Sequence, residues 1–224
     1  MKKFNTVGIP HQIDGLQRVM RGSQRWYKCP NGGTYPSVTT VLGDVEKPGL
    51  EAWRQMLGTK AADKETKRAS DRGTAMHEMA EKYLMNVENP TKGYQPSDIK
   101  LFNQIKVRLN KIDNIRGQEL QMYSERLRLA GTADCIGEYD GTLSLIDFKS
   151  STNVKGEDLV YDYFLQCTAY ALMYFEHYDE PIENIVIIMG VEKGMVPMVF
   201  TGVIDDYVQP LLQRINTFYE KVEN

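Results

Sequence analysis

A β-hairpin pattern in the middle of the chain constrains the fold more than any other segment. Residues 131–139 and 142–149 each have the composition of a strand, and Asp140-Gly141 between them is a two-residue turn signal. Residues 119–129 alternate loosely between apolar and polar side chains and predict another strand before this pair. The segment therefore predicts three consecutive antiparallel strands, around which the rest of the chain must pack.

Helical and extended patterns flank these three strands on both sides. Helices are predicted from apolar residues at helical spacing, over residues 50–57, 60–85, 98–112, 157–177 and from 205 or 206 to about 222. Further strands are predicted by apolar runs and turn signals, over residues 24–29, 185–191 and 196–203, and residues 34–42 continue the first of these into a short helix. This order predicts an α/β fold with a mixed central β-sheet flanked by helices and a helical N-terminal region.

The length and composition of the chain fit one globular domain. Of the 224 residues, 42% are hydrophobic and 25% are charged, which are ordinary values for a soluble protein. We expect one domain over residues 1–224, with a hairpin and helices in residues 1–115 and a sheet-containing core in residues 116–224. The start of the chain has no apolar run and no segment is long enough to cross a bilayer. We therefore expect no signal peptide, no secretion and no membrane contact.

Charge and cysteine content argue against some classes of protein. A formal net charge of −3 argues against a uniformly basic DNA-coating protein. Residues 54–72 nevertheless carry six positive side chains against three negative ones, which fits either a solvated helix with mixed pairs or a local DNA-binding surface. Cys29, Cys135 and Cys167 are too few and too far apart for a zinc knuckle, a disulfide framework or a four-cysteine cluster. We expect reduced cysteines and no iron–sulfur cluster.

Three charged residues lie on the predicted hairpin. Asp134 and Asp147 are on neighbouring strands, and Asp147 and Lys149 project from one face because they are two residues apart, roughly 7 Å along the strand. Such charges are costly in an apolar frame unless they are paired or bind a metal, and carboxylate oxygens suit Mg²⁺ or Mn²⁺. A lysine beside the metal could orient or deprotonate the attacking water, since burial near other cations lowers its pKa. A surface salt bridge between Asp147 and Lys149 is the alternative interpretation.

Four motifs, in order along the chain, resemble the PD-(D/E)XK nuclease superfamily and its RecB-like branch. Residues 131–134 with 145–151 resemble the core motif, residues 166–170 resemble the Q-x-x-x-Y motif, and residues 72–81 resemble the G-x-x-x-H helix. Residues 35–42, followed by Trp53-Arg54, resemble the N-terminal signature of the mitochondrial genome maintenance exonuclease family and its phage and bacterial relatives. The matches extend from about residue 24 to residue 174.

The resemblance implies a role for each matched residue. The implied metal ligands are His77, Asp134, Asp147 and the backbone carbonyl of Phe148, with Glu81 and Glu125 as further candidates. The implied catalytic residues are Lys149, Asp134, Asp147, Gln166 and Tyr170. Packing is the ordinary alternative for several of them, since a lone histidine on an apolar helix and a tyrosine on a helix are often core residues. The implied cofactor is Mg²⁺, for which Mn²⁺ could substitute.

Several hydroxyl-bearing, aromatic and basic residues are implied to contact DNA, through phosphate hydrogen bonds, charge or base stacking. They are Ser37, Thr39, Thr40, Trp53, Arg54, Lys67, Arg68, Arg72, Ser150 and Ser151. Trp26, Tyr27 and Tyr35 could also stack on bases, although we expect about half of these aromatic side chains to belong to the core. Each hydroxyl could equally be an ordinary strand residue.

The function that the resemblance implies is an Mg²⁺-dependent exodeoxyribonuclease that acts on single-stranded DNA or on free ends and flaps. A structure-specific or sequence-specific endonuclease and a non-catalytic DNA-binding module are the alternatives. No helicase motif accompanies the nuclease motifs. The expected partners are DNA and replication or recombination proteins, and the oligomeric state stays open. The chain begins without a presequence rich in arginine and serine, so the cytoplasm of a bacterial or phage-infected cell is the expected location.

Overall fold

A computed structural model describes residues 2–45 and 48–223 and contains two β-sheets within them. The smaller sheet is antiparallel and consists of β1 (Gln17–Arg21), β2 (Gln24–Lys28) and β3 (Thr34–Pro36). It continues into the short helix α1 (Val38–Gly43), as predicted. β1 was not predicted, because its side chains are mostly polar and exposed, so its pattern lacks the apolar alternation that marks a strand.

Three helices follow, namely α2 (Pro48–Leu57), α3 (Thr59–Leu84) and α4 (Pro96–Leu109). The predicted bounds of α4 are wrong at both ends. Gln95 is its N-cap and proline occupies the first helical position, which suits proline because that position needs no backbone N–H donor. At the other end, Ile112 opens a strand and pairs with Tyr139 instead of ending the helix. A buried isoleucine fits either element, so the strand pairing decided between them.

The larger sheet has five strands in the order β4-β5-β6-β7-β8. They are β4 (Ile112–Ser124), β5 (Leu129–Tyr139), β6 (Thr142–Ser151), β7 (Asn184–Val191) and β8 (Met198–Val203). β6 and β7 are parallel and are connected through α5 (Tyr161–Tyr178), whereas the other neighbours are antiparallel. α6 (Asp205–Glu223) follows β8. The prediction of a mixed sheet flanked by helices is confirmed.

The predicted strand over residues 119–129 is wrong in its bounds. β4 begins at Ile112 and ends at Ser124, and residues 125–128 form the turn to β5. The pairing of β4 with β5 shifts between Asp113 and Gly117. Such a bulge breaks the alternation of side chains that reveals a strand in the sequence. The shift also sets which residues of β4 lie opposite the charged residues of β5.

The five-stranded sheet is covered on both faces. One face packs against α1, α5 and α6, and the other packs against α3 and α4. Successive residues of β6 therefore enter different cores, with Leu145 on the α5 side and Ile146 and Phe148 on the α3 side. No helix in residues 2–45 and 48–223 is both long and apolar enough to cross a membrane. Charged side chains in the middle of this sheet must consequently find partners inside the protein.

Candidate metal centre and active site

The site lies where β5 and β6 separate. Their antiparallel ladder ends at Cys135 and Ile146, after which β6 continues beside β7 only. The backbone N–H of Phe148 donates a hydrogen bond of 2.8 Å to the Oδ2 atom of Asp134. A carboxylate thus takes the place of a backbone acceptor, and the separation of the strands fixes its position.

His77, Glu119 and Asp134 bring potential metal ligands together at this point. Each offers one ligand atom, and these atoms all lie within 4.8 Å of one another. The Nδ1 atom of His77, on α3, is 3.5 Å from the Oδ2 atom of Asp134. The His77 ring also packs edge-on against Phe148, with the ring centroids 6.0 Å apart. The helix, β4 and β5 therefore each contribute one side chain to the cluster.

Glu119 faces Asp134 across the β4–β5 ladder, between the pairs Gln118–Cys135 and Leu120–Ala133. Its backbone φ is 46°, in the left-handed region that few non-glycine residues adopt within a strand. Such strain persists only where the surroundings enforce it, and it is common at functional sites. The residue as a whole is exposed, yet protein atoms desolvate its carboxylate and raise its pKa to about 7, with further contributions from Asp134 and Glu81. A bound cation would favour the ionised carboxylate and so counteract the rise in the pKa of Glu119.

Asp147 and Lys149 form a buried ion pair beside the cluster. The Nζ atom of Lys149 lies 2.6 Å from each carboxylate oxygen of Asp147, which is only 2% exposed. The angles allow a hydrogen bond to Oδ1 alone, so Oδ2 is buried without a hydrogen-bond donor. The side-chain amide of Gln166 donates to Oδ1 at 3.3 Å. The Lys149 ammonium thus contacts both oxygens of this buried carboxylate, and a metal ion at Oδ2 would share that oxygen with it.

Burial and neighbouring charges shift the pKa values of this pair. Burial raises the pKa of Asp147, and the nearby Asp134 raises it further while Lys149 partly offsets both effects. Burial by itself would lower the pKa of Lys149, but Asp147 and Asp134 outweigh that effect and raise it above its usual value. Carboxylate neighbours thus raise the pKa of Lys149, whereas the expected lowering concerns a lysine beside a bound metal and stays a prediction.

The Tyr170 ring packs directly against Gly131. The Tyr170 side chain is buried on α5, four residues after Gln166, and packs over β5. A Cβ atom at Gly131 would lie 2.8 Å from the Cε1 atom of Tyr170 and 2.9 Å from its hydroxyl oxygen. Glycine is needed at position 131 to make room for the ring. Burial also raises the pKa of Tyr170, so its hydroxyl stays protonated.

The donor atoms of the site fit a divalent cation. The cluster offers an imidazole nitrogen and two carboxylates, and the buried oxygen of Asp147 lies in the same charged environment. Carboxylate oxygens suit Mg²⁺ and Mn²⁺, and imidazole is a common ligand of transition metals. The excess of negative charge over positive charge gives such an ion a favourable electrostatic environment.

Comparison with known proteins identifies similar chains. No family model matches the chain. Mitochondrial genome maintenance exonuclease 1 of Mus musculus is 29% identical over 172 residues, which cover 71% of this chain and 50% of that protein. The proteins of the same name from Xenopus tropicalis and Homo sapiens are 25% and 27% identical, over 85% and 71% of this chain and 58% and 50% of their own lengths. The chain resembles mitochondrial genome maintenance exonuclease 1. It spans about half the length of these curated relatives.

The structure brings only part of the expected ligand set together. His77 and Asp134 lie in the cluster, whereas Asp147 is held by Lys149 beside it. Phe148 is buried with its ring on the α3 side, and its N–H binds Asp134. The roles of Asp147 and of the Phe148 carbonyl as metal ligands therefore stay predictions.

The structure changes which glutamates belong to the candidate metal site. Glu119 was not among the expected ligands, although it sits directly opposite Asp134. Glu125 lies in the exposed turn after β4, on the order of 20 Å along the strand from Glu119, and its backbone N–H binds Glu176. The expectation that Glu125 joins the site is wrong, because the predicted strand was given the wrong bounds. Glu81 lies outside the cluster but close enough to raise the pKa of Glu119.

Two of the hydroxyls expected to contact DNA have structural roles. Ser37 is buried and caps α1, with its Oγ atom accepting the N–H of Thr40 at 3.0 Å. Ser151 is buried and donates to the backbone carbonyl of Asn153. The hydroxyls of both residues therefore already have hydrogen-bond partners inside the protein, and their contact with DNA stays a prediction. Thr39 is exposed beside Thr40, which is half-buried.

Gly73 has the close neighbour that a glycine within a helix indicates. A Cβ atom at this position would lie 3.3 Å from the Oγ atom of Ser150. The close protein neighbour is thus a side chain of β6 and not a backbone segment. Ser150 is consequently held against α3 and stays half-exposed.

The cations expected to contact DNA are already paired with carboxylates. The pairs are Arg54 with Asp63, Lys67 with Asp71, Arg68 with Glu65 and Glu192, and Arg72 with Glu192. Arg72 is itself buried, and its Nε atom has no hydrogen-bond partner within the part of the chain that the structure describes. The structure thus favours the interpretation of residues 54–72 as helical surface with mixed ion pairs.

A groove lies next to the site. It has a volume of about 800 Å³ and runs between α2, α3 and the segment after β6. Trp53 lines it, together with Lys155 and Lys193, and Ser151 at its edge is two residues from Lys149. Trp26 and Tyr27, by contrast, are buried in the core and cannot stack on bases.

Proposed function

We propose that this chain is a metal-dependent DNA exonuclease that hydrolyses phosphodiester bonds. The observation that carries the proposal is the cluster of His77, Glu119 and Asp134 beside the buried pair Asp147–Lys149. A site for a divalent cation next to a buried lysine is suited to attack on a phosphate by water. The three similar proteins are named exonucleases, which agrees with this chemistry.

A divalent cation at the cluster would lower the pKa of the attacking water and stabilise negative charge on the scissile phosphate. Lys149 is paired with Asp147, and the two nearby carboxylates raise its pKa, which suits it to orient the water and to stabilise charge. Asp147 holds the lysine in place, and Gln166 holds Asp147. The N–H of Phe148 fixes the carboxylate of Asp134. Lys149, Asp147 and Asp134 are thus each held by a neighbouring group.

We further propose that Mg²⁺ is the cofactor, with Mn²⁺ as a substitute, and that the substrate is single-stranded DNA or a free end or flap. The groove beside Trp53 supports this preference, because it offers an aromatic side chain and two lysines close to Lys149. We treat residues 1–224 as one nuclease domain, since Thr6 forms a bridge with Ile115 of the central sheet. Action with replication or recombination proteins and the cytoplasmic location stay predictions.

The test is a cleavage assay on linear single strands labelled at the 5′ or 3′ end and on circular single strands. We expect cleavage of the linear strands with Mg²⁺ or Mn²⁺, no cleavage with EDTA, and intact circles. Asp147→Ala and Lys149→Ala should each abolish the activity, because they remove opposite charges from the same buried pair.

Lys111→Ala is the matched control. Lys111 and Asp140 form another ion pair of 2.6 Å, but this pair is exposed and lies at the turn between β5 and β6. Its loss should leave cleavage unchanged. Equal residual activity of the wild type and both site variants would overturn the nuclease proposal, whereas metal-dependent cutting of circles would replace the exonuclease with an endonuclease.

A further inference from the structure

A basic hairpin, defined here as residues 15–36 with β1, β2 and β3, stands out from the rest of the chain. It carries Arg18, Arg21, Arg25 and Lys28 and contains neither aspartate nor glutamate. The whole chain has a formal net charge of −3. The basic hairpin is therefore a local concentration of positive charge on an acidic protein.

The positive side chains of the basic hairpin are available to a ligand. Arg18, Arg21 and Lys28 are exposed and Arg25 is half-buried. None of the four forms an ion pair with any residue in 2–45 or 48–223, in contrast to the paired cations of α3. The guanidinium of Arg21 lies 4.1 Å from the centroid of the Trp26 ring, which orients it without neutralising it.

Two of these arginines line a polar cavity. In the β1–β2 register, Arg18 is opposite Tyr27 and Arg25 is opposite Met20, so both arginines project from the same face of the hairpin. The cavity has a volume of about 410 Å³ and is also lined by the hydroxyl-bearing residues Thr39 and Thr40.

Among the described residues that line this cavity, Asp44 contributes the one carboxylate. Lys221 lies 3.0 Å from it and offsets its charge. The cavity thus presents guanidinium and hydroxyl donors with little competing negative charge, which is the chemistry that recognises phosphate.

The basic hairpin lies within reach of the candidate active site. Ser37, which follows β3, forms a bridge with Ala130 of β5, and Asp134 is further along the same strand. Four residues of strand and two strand spacings amount to on the order of 20 Å. This distance corresponds to roughly six stacked nucleotides at about 3.4 Å each.

We propose that the basic hairpin binds the phosphate backbone of the DNA strand on which the active site acts, several nucleotides away from the cut. This inference rests on the proposed nuclease function. The repeated negative charge of a nucleic-acid backbone matches Arg18 and Arg25, which share one face of the hairpin and have no acidic partner among the described residues. Such binding requires no base recognition. The hairpin would therefore increase affinity for long strands without selecting a sequence.

The test measures DNA affinity by fluorescence anisotropy in EDTA, with two labelled single strands. The strand of about 4 nucleotides is too short to reach from the active site to the hairpin, whereas the strand of about 20 nucleotides is long enough. Arg18→Gln/Arg25→Gln should bind the long strand about 25-fold more weakly at about 0.1 M salt, since each phosphate contact on a single strand contributes about fivefold there. When the salt concentration is raised fourfold, the factor by which affinity falls should be about seven times larger for the wild type than for this variant. Thermal denaturation checks that the variant is folded.

Lys92→Gln/Lys100→Gln is the matched control, because both lysines are exposed, are without an ion pair to any described residue and lie outside the basic hairpin. It removes the same charge and should keep the long-strand affinity of the wild type. The inference is overturned if both double variants lose affinity equally, or if the hairpin variant keeps the affinity and salt dependence of the wild type. Metal-dependent cleavage of the short strand by the wild type tests the nuclease function separately.

Discussion

Glu119→Gln should stabilise the protein without a divalent cation and should halve the stabilisation that the cation provides. The substitution keeps the size of the side chain and removes its charge. Without metal, the Glu119 carboxylate repels that of Asp134, whose ligand atom is within 4.8 Å. Two unit charges at that separation repel by about 1 kcal/mol in a solvent-exposed setting. At a pH above 8, where Glu119 is ionised despite its pKa of about 7, the variant should be more stable by about that amount.

With metal, the same carboxylate becomes a ligand. A cation at 100 times its Kd stabilises a protein by about 2.7 kcal/mol, which raises the Tm of a chain of this length by about 5 to 10 °C. If loss of the Glu119 carboxylate weakens metal affinity tenfold, the stabilisation at the same concentration falls to about 1.4 kcal/mol. The metal-induced rise in Tm should then fall to about half.

The assay is thermal denaturation in EDTA and across a titration of Mg²⁺ or Mn²⁺. Glu119→Gln should melt about 2 to 4 °C above the wild type in EDTA and should gain less from the metal. Glu125→Gln is the control and should behave like the wild type, because Glu125 lies in an exposed turn far from the cluster. A variant that melts below the wild type in EDTA and gains equally from metal would show that Glu119 is not part of a metal site.

Three other substitutions test the packing and the charges around the site. Gly131→Ala should lower the free energy of unfolding by about 1 to 3 kcal/mol, measured by urea denaturation, because the added methyl group meets the Tyr170 ring at 2.8 Å. The hydrogen bond from Arg68 is the main cause that lowers the pKa of Glu192, so the contribution of Glu192 to stability should be present above its usual pKa and lost as the pH falls through the lowered value. In a plot of the urea midpoint against pH, Glu192→Gln should flatten this part of the curve. An unchanged curve would refute the pairing. Lys149→Ala should destabilise the protein at neutral pH by several kcal/mol because it leaves Asp147 buried and unpaired, and the double variant with Asp147→Ala should recover part of that loss in the same measurement.

The helices and strands around the centre of the chain could be predicted because their signals are local. The Asp140-Gly141 turn, the alternation of β5 and β6 and the helical spacing of α3 and α5 each depend on residues close together in the sequence. Predictions failed where the signal was not local. The sequence pattern predicts the end of a helix where β4 starts, because an isoleucine fits both elements until its strand partner is known.

The residues of the candidate site were also predicted only where their signals are local. The sequence by itself determined that His77, Asp134, Asp147 and Lys149 were worth placing together, since each belongs to a motif with its own spacing. Only the tertiary structure decided that Glu119 completes the cluster. A residue on β4 faces Asp134 or misses it according to the strand register, and the irregular pairing near Asp113 hides that register from the sequence.

The tertiary structure also decided which positive charges are free. Arg68 and Arg72 are expected DNA contacts in the sequence, but both pair with Glu192, from a distant part of the chain, and Arg68 also pairs with Glu65. Arg18 and Arg25 have no such partner among residues 2–45 and 48–223, and they line an open cavity. Residue types and local periodicity are properties of the sequence, whereas the neutralisation of a charge depends on which distant side chain the fold brings within a few ångströms.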